Sequence, residues 1–122
     1  MWCNLVSKVN IKTSIESKSE KVSYSCVGIL NNNKLVYKDK NDILVTLYMN
    51  DNKILLTRES NDYILKLDFF NNMCDYYLKD VDNMLYLKLD TTSIQVTNNG
   101  VCIDYNLEDD KFSFKIKYEV IK

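Results

Sequence analysis

The sequence predicts an all-β chain closed into a single antiparallel barrel of about eight to ten strands. Three observations predict it. In residues 84–122 the pattern has period two: Phe112, Phe114, Ile116, Tyr118 and Val120 are separated by Ser113, Lys115, Lys117 and Glu119, so one face wants a core and the other wants water. Shorter runs of the same kind recur along the chain, divided by turns rich in Asn and Asp. No window carries the spacing of an amphipathic helix.

Taken in order, Val9, Ile11, Thr13 and Ile15 alternate with polar residues and make a first strand, which residues 17–21 turn back. Residues 22–30 form a second strand with Tyr24 and Cys26 on one face and Val27 and Ile29 on the other. Gly28 inside it suggests a bulge or a sharp bend of the kind barrels use at corners. Residues 34–38 make a short strand, 42–49 a longer one, and 53–59 its hairpin partner. Tyr63, Leu65, Leu67 and Phe69 define the next strand, and Asn71 and Asn72 turn the chain into residues 73–78.

Leu85, Leu87 and Leu89 then occupy odd positions, whereas Ile94 and Val96 occupy even ones. A one-residue slip between Thr91 and Ser93 restores inward pointing, so a β-bulge or break is expected there. Asn98, Asn99 and Gly100 are expected to supply the positive φ angles of a tight turn into Val101, Ile103, Tyr105 and Leu107. The acidic cluster Glu108, Asp109 and Asp110 closes the last hairpin as a solvated turn.

At 122 residues the chain reads as one domain, residues 1–122. Its 46% hydrophobic and 27% charged residues suit a globular core, and a net charge of −1 gives no global pull toward nucleic acid or an anionic membrane. Proline is absent and glycine occurs only at positions 28 and 100, which leaves the turns to Asn and Asp. Cys3, Cys26, Cys74 and Cys102 are widely spaced and form no CxxC pair. They read as reduced thiols of a cytoplasmic protein, because Met1, Trp2, Cys3 and Asn4 lead into a strand without the charged and apolar regions of a secretion signal.

The candidate site rests on few residues. Arg58 is the only arginine and shares strand parity with Ile54 and Leu56, so it is expected to face inward, where a guanidinium needs a carboxylate or an anionic ligand. Asp75 is the expected carboxylate. Tyr37, Tyr63, Tyr105 and Tyr118 are expected to line the same interior as an apolar wall with a few directed hydroxyls. Catalysis has little support, since the chain has no His and no nucleophile or dyad motif. Neither a metal site nor a cofactor is expected, since the cysteines lack zinc spacing and the acidic turn lacks a calcium-loop pattern. The outward row Lys111, Lys115 and Lys117 reads as a guard against edge pairing ahead of phosphate binding.

Gly28, Leu35-Val36-Tyr37, Leu56-Thr57-Arg58, residues 85–91 followed by Ile94, Ile103-Asp104-Tyr105 and the closing strand 114–121 together resemble the YwiB-like domains of unknown function from Gram-positive bacteria. The resemblance spans residues 9–121. It implies a calycin-type, lipocalin-like barrel and no defined activity. Two departures stand out: Ser60 replaces the family's glycine after the arginine, and Asp82-Asn83 replaces a Tyr-Gly turn, with Asn83 expected to take the left-handed conformation.

The expectation is therefore a non-catalytic intracellular barrel that binds a small, partly apolar and anionic molecule near Arg58. The alternative is a structural or protein-interaction module with a side-chain-filled barrel. An enzyme ranks last, nucleic acid and membrane are not expected partners, and a homodimer is compatible with the sequence.

Overall fold

The computed structural model describes residues 6–121. Met1, Trp2, Cys3 and Asn4, including one of the four expected free thiols, lie outside them. Ten strands follow one another: β1 (Val6–Ser17), β2 (Lys21–Asn31), β3 (Lys34–Lys38), β4 (Leu44–Asn50), β5 (Lys53–Glu59), β6 (Tyr63–Asp68), β7 (Met73–Leu78), β8 (Asn83–Thr97), β9 (Gly100–Leu107) and β10 (Asp110–Val120). Each pairs antiparallel with the next, and β1 pairs with β10 to close an all-β barrel without a helix. Closure removes the two long edges that an open ten-stranded sheet would present, and leaves free only stretches where neighbouring strands differ in length.

Period-two alternation sets the inner wall. Val9 and Ile11 from β1, Leu35 from β3, Leu47 from β4, Ile54 from β5, Leu67 from β6, Val101 and Ile103 from β9 and Ile116 from β10 are all buried. With Phe69 they fill the end of the barrel that carries the β2–β3, β4–β5, β6–β7 and β8–β9 turns. The expected slip is present: the β8–β9 register shifts between Thr91 and Ser93, after which Ile94 pairs with Ile103. Strand β8 is shared unevenly. Its residues 83–88 pair with β7, and those from Leu89 onward pair with β9.

Three local expectations are corrected. Gly28 is not a bulge, because the β1–β2 register runs unbroken through Val9 and Gly28. It is a site of close approach instead, where an added Cβ would stand 2.5 Å from Ile11 Cδ1 and 2.7 Å from the Val36 carbonyl oxygen. Gly100 has no positive φ either; a Cβ there would run into the Ile116 carbonyl across the β9–β10 pair. Left-handed backbone belongs to Asn32, Asp42, Asn72, Asp82 and Glu108, so Asp82 and not Asn83 turns the chain into β8.

Candidate functional site

The end of the barrel opposite the filled core is hollow. Here the β1–β2 turn, the β3–β4 loop of residues 39–43, Leu65 of β6 and Phe112 and Phe114 of β10 surround a cavity of about 350 Å³. Its apolar wall includes Ile15, Val22, Val45, Leu65, Phe112 and Phe114, and its polar groups are led by Thr13, Tyr24, Tyr37, Asp39, Arg58 and Tyr105. The interior is thus neither fully open nor fully packed: one half is core and the other half is pocket.

Strand parity carries Arg58 inward, one pleat beyond buried Leu56, with Val45 and Leu65 as its cross-strand neighbours. Its Nη2 donates to Asp39 Oδ2 at 2.7 Å. The other Asp39 oxygen accepts the backbone N–H groups of Asn41 at 2.8 Å and Ile43 at 3.0 Å. Asp39 therefore folds the β3–β4 loop and anchors the arginine at once, with its side chain only 6% exposed. Arg58 is less completely satisfied: its Nε is buried and has no hydrogen-bond partner. A buried donor left unmade costs about 1–3 kcal/mol, which an acceptor arriving in the cavity would offset.

Three phenols surround this guanidinium. Burial raises the pKa of Tyr24 to about 12, aided by the charge of Asp39 and opposed by Arg58 and Tyr37. Burial also raises Tyr105 to about 12, again against the pull of Arg58, and raises Tyr37 further. All three are therefore protonated near neutral pH and act as O–H donors. Tyr105 is held rigidly, stacked on Phe112 with ring centroids 5.4 Å apart and tilted against Phe69 at 5.1 Å. A charged donor, neutral hydroxyls and an aromatic wall together suit an anionic group attached to an apolar body.

Of the residues expected here, Arg58, Tyr37 and Tyr105 do line the cavity and Tyr63 and Tyr118 do not. Tyr63 lies at the start of β6, half-buried and edge-on to Tyr76 with centroids 5.4 Å apart. Tyr118 pairs with Ile11 toward the filled end. Asp75 is not the partner of Arg58; it sits opposite Lys66 in the register that puts Cys74 inside, so its side chain is on the outer face. Sequence reading missed Tyr24 and Asp39. The signal for Tyr24 is its pairing with inward Thr13.

Among the described residues Cys26, Cys74 and Cys102 are free thiols, and no group of three His, Cys, Asp or Glu side chains converges. Among the described residues no helix is long and apolar enough to cross a membrane.

Comparison with family models finds no match, and neither does comparison with curated proteins. Among solved structures, the chain is similar to the crystal structure of the ywiB protein from Bacillus subtilis, with a TM-score of 0.68. The two share 20% identity over 96% of this chain and 92% of that one. That likeness shows the fold, and the resemblance to YwiB-like domains is met at that level.

Proposed function

We propose that this protein is a non-catalytic binding protein whose hollow end receives one small molecule with a single anionic group and an apolar body. The observation that carries the reading is the buried, unpartnered Nε of Arg58 at the edge of a cavity of about 350 Å³. A cavity of that size falls at the lower end of the range for small-molecule sites, roughly 300–1,000 Å³. Asp39 already offsets much of the guanidinium charge, which favours a carboxylate-like monoanion over a dianion. The phenol hydroxyls would orient the anion, and Phe112, Phe114 and Leu65 would cover the apolar body.

An up-and-down barrel with one filled and one open end is also what a calycin-type, lipocalin-like assignment implies. The free thiols support a reducing, cytoplasmic setting. The second reading, an interaction module, draws support from the Asp39–Arg58 ion pair and from apolar side chains on the outside of β8.

Native mass spectrometry of protein isolated gently from its own host tests the binding reading. A small-molecule adduct that is present in the native protein and absent from a folded Arg58→Ala variant supports it. A bare mass in both, or an adduct indifferent to Arg58, overturns it.

A further inference from the structure

The β7–β8 hairpin extends past the end of β9. Strand β9 begins pairing with β8 at Leu89, so residues 83–88 have β7 on one side and no paired strand on the other. The side chains there are apolar and open to solvent: Met84 is 42%, Leu85 40% and Tyr86 75% exposed. An apolar strand with a free edge is the feature soluble proteins ordinarily cover, twist away or charge. Here nothing within the described residues covers it.

The backbone groups on that edge can be named. The Lys88 carbonyl accepts the Glu108 N–H at 2.7 Å, so it faces away from β7. Alternation along a strand then puts the N–H and C=O of Met84 and Tyr86 on the same free side. The tip of the hairpin is held in place against the β5–β6 turn. Lys79 N–H donates to the Asp62 carbonyl at 2.9 Å, and Lys79 Nζ reaches Glu59 at 3.0 Å and the Ser60 carbonyl at 2.8 Å.

We propose that this edge is the contact through which two copies of the chain form an antiparallel, two-fold β-sheet dimer, centred on Leu85. In that register Leu85 meets Leu85 of the second copy, and Met84 lies opposite Tyr86 of the second copy. The Met84 and Tyr86 backbone groups then exchange both hydrogen bonds on each side of the axis. Met84 against the Tyr86 ring is a favourable thioether–aromatic pair. Charge fits the same register. Lys88, which makes no ion pair among the described residues, comes opposite Asp82 of the second copy, the turn residue whose carboxylate accepts the Tyr77 hydroxyl, twice by symmetry. The contact lies outside the cavity and is independent of any ligand there.

Sedimentation velocity over a concentration series reads it directly. The wild-type chain is expected to shift from monomer to dimer as its concentration rises through the micromolar range. Tyr86→Pro removes an N–H that faces the edge and not β7, so it should keep the barrel, checked by its circular dichroism melt, and abolish the dimer. Lys88→Asp, which puts like charges opposite each other at an exposed position outside the turn, should weaken the dimer and leave the melt unchanged. A chain that stays monomeric at about 100 µM overturns the proposal. So does a dimer that survives Tyr86→Pro, or one that is indifferent to Lys88→Asp.

Discussion

The Asp39 carboxylate and the Arg58 guanidinium form an unequal pair: the acid has donors on both oxygens, whereas the base leaves its buried Nε without a partner. Removing each should therefore cost differently. Asp39→Ala strands two backbone amides and a half-buried cation and should lower stability by about 3 kcal/mol. Arg58→Ala leaves Asp39 with both amides on one oxygen but takes the cation from the other, and should cost about 2 kcal/mol. Urea denaturation measures both, and equal losses would mean that the arginine, like the aspartate, serves structure alone.

The same asymmetry predicts how the cavity treats an apolar anion. Anilinonaphthalene sulfonate, titrated by fluorescence, should bind the folded protein. Arg58→Gln should weaken it about tenfold or more, the worth of one charge-assisted hydrogen bond. Leu65→Trp, which fills space beside Arg58 on β6, should weaken it as well without unfolding the chain. Binding unchanged in both variants would place the dye outside the cavity.

How much of this was legible in the sequence depends on what fixes each residue. Alternation decides which side chains of one strand share a face, so Leu56 and Arg58 were correctly placed inside together. It also located the slip at Thr91 and Ser93, because a barrel wall demands a constant inward face. Alternation says nothing across a turn, and that is why Asp75 was mistaken for the partner: the β6–β7 register puts Cys74, not Asp75, on the inner wall. Asp39 was illegible for another reason. It belongs to a loop whose path is set by its own carboxylate capping Asn41 and Ile43. Tyr63 and Tyr118 share parity with the core, but parity gives a face and not a height along the barrel axis.

Alkaline pH should weaken the fold through the buried phenols. Tyr24 and Tyr105 ionise at about 12 in the folded chain, and a free tyrosine does so near 10. Below pH 10 both states keep the proton and the contribution is whole. Between pH 10 and about 12 the unfolded chain releases protons that the folded chain retains, so stability falls as pH rises through that window. Spectrophotometric titration of tyrosinate should show late-titrating phenols, and Tyr24→Phe with Tyr105→Phe should flatten the stability loss. A single transition near pH 10 for all nine tyrosines would contradict the burial described.

The Cys74 thiol is buried, and burial, helped by Asp75 and Glu108, raises its pKa to about 11. At neutral pH almost none of it is thiolate, the form that reacts with alkylating agents. Iodoacetamide should therefore modify Cys74 far more slowly in the native protein than in urea. Rapid native labelling at that residue, read by peptide mass spectrometry, would show that the β6–β7–β8 wall opens.

The two glycines should respond unequally to the smallest substitution, because different things stand in the way. Neither has a positive φ, so alanine brings no backbone strain and even gains about 0.4–1 kcal/mol by restricting the unfolded chain. At Gly28 the new methyl meets the Ile11 side-chain tip, which can rotate, as well as the Val36 carbonyl at 2.7 Å. At Gly100 it meets backbone on the paired strand, the Ile116 carbonyl and Lys117 Cα, and nothing there can yield without parting β9 from β10. Gly28→Ala should thus cost about 1 kcal/mol net and Gly100→Ala about 3 kcal/mol, within the range for overpacked sites. Chemical denaturation compares them, and a neutral Gly100→Ala would mean that the two strands are not in such close contact.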